Sequence, residues 1–210
     1  MMMILRSSKV FQSMNFGGCK KIVILLHGYG SNGEAFASTA HMFWSQRLDD
    51  TLFIAPNAPF DCDAGYGFQW FKLNDFSYDE LRTGLESVAQ QLKEYIENIA
   101  QEYNCHDINL VGFSQGAIMS FEMLFHTKIS RIISYSGMFA PPTAANIVDH
   151  TTRIMLVHSD DDQSVPYANV ALSKASLEHF RIIPEIMTCN GIGHTISADG
   201  WDAGAKFLKS

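Results

Sequence analysis

Five apolar residues in succession, Ile22-Val23-Ile24-Leu25-Leu26, end abruptly at a glycine-rich turn, His27-Gly28-Tyr29-Gly30-Ser31-Asn32-Gly33. A strand with one wet face alternates apolar and polar residues, whereas an unbroken apolar run suits a strand covered on both faces. Runs of this kind recur at 52–55, 108–113, 132–135, 154–158 and 185–188. Segments with helical spacing lie between them, at 34–47, 115–126, 167–180 and 198–208. The clearest helix covers about 78–103: Ser77 and Glu80 read as a capping box, and Leu81, Leu85, Val88, Leu92, Tyr95, Ile96 and Ile99 form one apolar stripe. This alternation predicts an α/β fold built on a mostly parallel, doubly wound sheet. Right-handed crossovers then gather the strand-to-helix loops at the carboxyl edge of the sheet, where open α/β folds bind ligands.

The length, 210 residues, predicts one domain over residues 1–210, with no internal repeat, linker or low-complexity segment. Charged residues make up 18% of the chain and hydrophobic ones 47%, a balance that suits a buried sheet. A formal net charge of −7 with scattered Lys and Arg argues against nucleic acid as a partner. Cys19, Cys62, Cys105 and Cys189 have neither CxxC nor zinc-ligand spacing, which suits a reduced compartment, and Cys105 and Cys189 read as small buried apolar residues. The apolar start, residues 1–5, is cut off by Arg6-Ser7-Ser8-Lys9 before a signal-peptide core of about 7–15 residues could form. The run at 22–26 falls far short of the roughly 20 residues of a membrane span. A soluble, cytoplasmic protein is expected. The one long irregular stretch, 56–77, carries Phe60, Tyr66, Phe68, Trp70, Phe71 and Phe76, large apolar surface that suits core filling or a pocket wall.

Gly112-Phe113-Ser114-Gln115-Gly116 matches G-x-S-x-G and lies between an expected strand and an expected helix. In that setting the serine sits on a sharp turn, and side chains two residues to either side would strike neighbouring backbone. A serine hydroxyl needs a base and a group to orient that base. Both follow in the chain: Asp162 in His158-Ser159-Asp160-Asp161-Asp162-Gln163-Ser164-Val165-Pro166, and His194 in Gly191-Ile192-Gly193-His194, each just after an expected strand. The order Ser, Asp, His is that of the α/β-hydrolase fold. An oxyanion would be met by the backbone N–H of Gln115 and, from the first glycine-rich loop, that of Tyr29. His27 is expected to shape this loop, since the base position is already filled.

The chain resembles the small carboxylesterases of the phospholipase/carboxylesterase family, which includes acyl-protein thioesterases. The resemblance spans nearly the whole chain. It is carried by His27-Gly28-Tyr29-Gly30, Pro56-Asn57-Ala58-Pro59, Gln69-Trp70-Phe71, Gly112-Phe113-Ser114-Gln115-Gly116-Ala117, Asp162-Gln163-Ser164-Val165-Pro166 and Gly191-Ile192-Gly193-His194. It implies a hydrolase with no separate lid domain, no cofactor and no metal, using Ser114, Asp162 and His194 with Tyr29 and Gln115 as oxyanion donors. It favours Trp70 and Phe71 as pocket wall. Asp162 is preferred because the family places its acid three residues before Val165-Pro166; Asp160 is the alternative. The chain departs from the family at Ser159, where glycine is usual, and at Ser31-Asn32-Gly33, where an acidic residue is more familiar.

Three neighbouring aspartates could also read as a solvated turn or a calcium loop, but the sixth-position Gly and twelfth-position Glu of an EF-hand are missing. No HExxH or similar pairing suggests a catalytic metal. The expected activity is hydrolysis of carboxylic esters or thioesters of small or lipid-like acyl groups, with an acylated protein among the candidate substrates. Amide or peptide cleavage would use the same groups, and a non-catalytic ligand-binding protein could share the scaffold.

Overall fold

The computed structural model describes residues 5–74, 77–144 and 146–210, without the side chains of residues 6–8. Phe76 of the aromatic stretch and residues 1–4 of the apolar start lie outside the described residues. The chain runs β1 (Arg6–Gln12), β2 (Lys21–Leu26), α1 (Gly33–Trp44), β3 (Thr51–Asn57), β4 (Phe60–Asp61), β5 (Phe68–Gln69) and α2 (Tyr78–Glu102). It continues with β6 (Ile108–Phe113), α3 (Gln115–Glu122), β7 (Arg131–Tyr135), β8 (Arg153–Ser159), α4 (Ala168–His179), β9 (Glu185–Cys189) and α5 (Ala198–Lys209). A short 3-10 turn, Met123–Phe125, follows α3.

Among the described residues, seven strands form one sheet in the order β1-β3-β2-β6-β7-β8-β9. Every pairing is parallel except that of β1 with β3. The apolar runs occupy β2, β3, β6, β7 and β8, and β2 shows why they do not alternate. Ile22, Ile24 and Leu26 face a core with Leu85, Leu92 and Ile96 of α2 and Met119 of α3. Val23 and Leu25 face the other core, with Phe36 and Trp44 of α1 and Trp201 of α5. All five are fully buried, and each such side chain contributes about 1.5–3 kcal/mol relative to exposure. Helices cover both faces, as the alternation of elements predicts.

The long helix α2 begins where expected, with the Ser77 hydroxyl accepting from the Glu80 N–H. Three strands lie outside the set expected from the sequence. The edge strand β1 is mostly polar in sequence, because an edge needs only one covered face: Phe11 stacks on Phe53 at 4.4 Å while Val10 stays exposed. The aromatic stretch is not wholly irregular, since β4 and β5 pair as a small antiparallel ribbon. No described helix is long and apolar enough to cross a membrane.

Candidate active site

Ser114 lies between the end of β6 and the first residue of α3, at φ 53° and ψ −118°. This left-handed backbone is costly for a residue with a Cβ, by about 1–3 kcal/mol, and persists only where the surroundings enforce it. Here the Ser114 N–H donates to the carbonyl of Tyr135 on the neighbouring strand. A Cβ at Gly112 would come within 2.4 Å of the Ala117 backbone, and one at Gly116 within 2.0 Å of the Leu26 carbonyl oxygen. The two glycines let β6, α3 and the end of β2 converge beneath the serine.

Asp162 and His194 meet from different loops, with His194 Nδ1 2.7 Å from Asp162 Oδ2. The other oxygen, Oδ1, accepts from the N–H groups of Ser164 and Val165, both at 2.9 Å. Burial pushes the Asp162 carboxyl up, but the bonds from His194, Val165 and Ser164 outweigh it and hold the group below the usual carboxylate range. Asp162 is therefore ionised at neutral pH and can accept a hydrogen bond from His194 Nδ1. The ring of His194 packs against Phe113, the residue before Ser114, with centroids 4.9 Å apart.

The neighbouring aspartates do different work. Asp160 Oδ1 accepts from the Gly191 N–H at 2.9 Å, and Asp161 Oδ1 from the Gly193 N–H at 2.8 Å. Both carboxylates thus pin the turn that carries His194, while Asp162 alone of the three reaches its ring. Ser159, the departure from the family's glycine, donates to Asp161 Oδ1 and accepts from the Ile192 N–H. His158 is buried behind Asp162: its Nε2 bonds the Val165 carbonyl at 2.7 Å and lies 3.5 Å from Asp162 Oδ2.

The glycine-rich loop after β2 is held from below by His27. Its Nδ1 donates to the Gly28 carbonyl and its Nε2 accepts from the Ala58 N–H, so the imidazole is neutral. Burial pushes its pKa down to about 4, against a smaller upward pull from the Gly28 carbonyl. Neither the Tyr29 N–H nor the Gln115 N–H donates to an acceptor among the described residues. Gln115 contributes more than its amide. Its side chain is buried and bridges the aromatic stretch, accepting from the Trp70 N–H at 2.8 Å and donating to the Phe71 carbonyl at 2.7 Å. This clamp escapes a sequence reading; the one signal for it is a polar residue in a buried first turn of α3.

Ser114, His194, Tyr29 and Gln115 line a single cavity of about 440 Å³, together with Leu73, Phe113, Ile118, Ser164 and Val165. Asp162 lies behind it, out of solvent. Trp70 and Phe71 are not among the lining residues. Trp70 is fully buried, donating through Nε1 to the His27 carbonyl, and Phe71 packs against Gly84 of α2. They form the support of the site, and the wall contributed by this stretch is Leu73. Among the described residues, His194 is the one titratable side chain besides Tyr29 that lines the cavity.

A doubly wound sheet covered by helices, a strained serine at the end of a central strand and a following Asp–His pair define an α/β-hydrolase. The chain belongs to the phospholipase/carboxylesterase family, whose sequence profile matches residues 17–210. It is similar to acyl-protein thioesterase 1 homolog 1 of Dictyostelium discoideum, 29% identical over 203 residues, covering 89% of this chain and 88% of that protein. It also resembles the esterase YpfH of Escherichia coli, 24% identical over 75% of this chain and 68% of the relative. Among solved structures, esterase PE8 superposes with a TM-score of 0.87 at 29% identity over 98% of both chains. Acyl-protein thioesterase 2 of Zea mays has the same fold, with a TM-score of 0.77 at 20% identity over 97% of this chain and 98% of that one.

Proposed function

We propose that the protein is a serine esterase or thioesterase acting through an acyl-enzyme on Ser114. The observation that carries this reading is the 2.7 Å Asp162–His194 bond, with the imidazole lining the same cavity as the strained Ser114. Ser114 Oγ attacks the acyl carbonyl while His194 Nε2 takes its proton. The oxyanion settles against the N–H groups of Tyr29 and Gln115 at the amino end of α3, where the helix dipole favours negative charge. His194 returns the proton to the departing alcohol or thiol, and water repeats the sequence to release the acid. Asp162 holds the imidazole in the Nδ1–H tautomer and stabilises its cationic form.

Leu73, Phe113, Ile118 and Val165 supply an apolar wall, and among the described residues no Lys or Arg lines the cavity, which favours a small or lipid-like acyl group. The family and the relatives named as thioesterases support ester and thioester substrates, an acylated protein among them. A reduced compartment such as the cytoplasm is the place of action that the widely spaced, unpaired cysteines favour. The test is fluorophosphonate labelling of the purified protein with peptide mapping, followed by turnover of acyl esters and thioesters of graded length. An adduct on Ser114 that is absent from Ser114→Ala, with turnover lost in the same variant, is expected. Folded protein that neither labels nor turns over would make the scaffold a non-catalytic binder.

A further inference from the structure

The turn that leads into His194 has little of its own to hold it in shape. Gly191 and Gly193 both take positive φ, 64° and 66°, and a Cβ at either would meet nothing within 4 Å, so the rest of the chain does not pack against the turn there. Ile192, between them, is partly buried against the core. Glycine also loses more backbone freedom on ordering than any other residue. Yet three consecutive N–H groups ahead of His194 are each taken by a side chain at or just after the end of β8. Gly191 donates to Asp160 Oδ1 at 2.9 Å, Ile192 to Ser159 Oγ at 3.2 Å and Gly193 to Asp161 Oδ1 at 2.8 Å. Ser159 joins two of these tethers, since its hydroxyl donates to Asp161 Oδ1 at 2.6 Å. It is the last residue of β8, only 1% exposed, and pairs in register with Cys189 of β9. Asp161 is exposed, and the Ser159 hydroxyl, followed by the Gly193 N–H, holds its carboxyl below the usual range, so it remains an ionised acceptor at neutral pH.

We propose, on the reading of His194 as general base, that Ser159 and Asp161 are positioning residues that lock the His194 turn against the sheet and so set the imidazole for proton transfer with Ser114. Neither side chain lines the cavity, and both act through the backbone of residues 191–193. Asp162 fixes one atom of the ring, Nδ1, at 2.7 Å from its Oδ2. A single bond leaves the ring free to swing about that atom, and fixing the backbone on the other side removes the freedom. Proton transfer is sensitive to it, because a displacement of about 1 Å can cost on the order of 100-fold in rate. The Ser159 hydroxyl is what ties the arrangement to the buried sheet. With a glycine at 159, as is usual in the family, Ile192 would lose its acceptor and Asp161 its buried donor.

The experiment compares Ser159→Ala, Asp161→Ala, the double variant and Asp161→Asn with wild type in p-nitrophenyl butyrate turnover and in the rate of fluorophosphonate labelling, with Tm as the check of folding. Ser159→Ala and Asp161→Ala should each lower kcat about tenfold, part of the loss that a full displacement brings, and leave KM within about twofold. The double variant should lose no more than about the same tenfold, because the two side chains act as one unit. Asp161→Asn loses the charge but keeps an oxygen for the Gly193 N–H and the Ser159 hydroxyl, so its kcat should stay within about twofold of wild type. Unchanged kcat in both alanine variants, losses that multiply to about 100-fold in the double variant, or a fall in Asp161→Asn as large as that in Asp161→Ala would each overturn the proposal, the last by making the effect one of charge. In all of these Ser114 of the wild type still labels. Folded wild type that neither labels nor turns over would instead overturn the general-base reading, and the proposal with it.

Discussion

Replacing Gln115 by alanine separates the two uses of that residue. The backbone N–H that faces the cavity stays, while the side chain that clamps Trp70 and Phe71 is lost. The clamp satisfies one buried donor and one buried acceptor, the Trp70 N–H at 2.8 Å and the Phe71 carbonyl at 2.7 Å. An orphaned buried polar group costs about 1–3 kcal/mol, and water entering from the adjoining cavity offsets part of the sum, so Gln115→Ala should destabilise the fold by about 2–4 kcal/mol. For a chain of this size that is a fall in Tm of roughly 5–15 °C. Urea denaturation followed by circular dichroism measures the loss, and the fluorophosphonate labelling rate reports on the surviving amide donor. Gln115→Glu is the companion variant: it still accepts from Trp70 but sets a carboxylate against the Phe71 carbonyl, which raises its folded pKa above the usual value of about 4.3. Its extra instability should therefore be absent below about pH 4 and grow as pH rises toward that folded pKa. A loss below about 0.5 kcal/mol for Gln115→Ala would refute the claim that the side chain holds the aromatic stretch in place.

Asp162→Asn should lower kcat by about 10⁴ while the protein still folds, whereas Asp160→Asn, which loosens only the Gly191 turn, should cost less than about tenfold; equal losses would disprove the division of labour among the three aspartates. Because the Asp162 carboxyl is held below its unfolded value, its stabilising contribution is complete above about pH 4 and lost as pH falls through the folded value, so urea titrations of wild type and Asp162→Asn should converge in acid. Gly116→Ala places a methyl within 2.0 Å of the Leu26 carbonyl oxygen and should cost more than about 3 kcal/mol or prevent folding, read by soluble yield and Tm. Arg82→Met strands Glu122, which is buried and bonded to Arg82 at 2.5 and 3.1 Å, and should cost about 3–5 kcal/mol with Ser114 labelling retained, less to the extent that His126, 2.9 Å from Glu122, takes over.

The layout was legible in the chain because its signals are local. A strand covered on both faces must be apolar throughout, as at Ile22–Leu26, and a helix that covers it must carry a stripe like that of α2, so alternation alone dictated the doubly wound sheet. The turn at Ser114 was equally local, since the glycines at 112 and 116 mark where backbones nearly touch. Local signals also failed where an element needed little apolar surface, as in β1, and where two short strands lay inside a stretch read as irregular, as in β4 and β5. What only the tertiary structure decided are the relations between loops distant in sequence. Oδ2 of Asp162 bonds the His194 ring, while Asp160 and Asp161 bind that residue's turn. Trp70 and Phe71 sit inside the core while Leu73 faces the cavity, and Gln115 ties them to the serine. The reason is physical: burial pattern and backbone geometry are written residue by residue, but the partner of a buried polar atom is chosen only when strands and loops have been brought into contact.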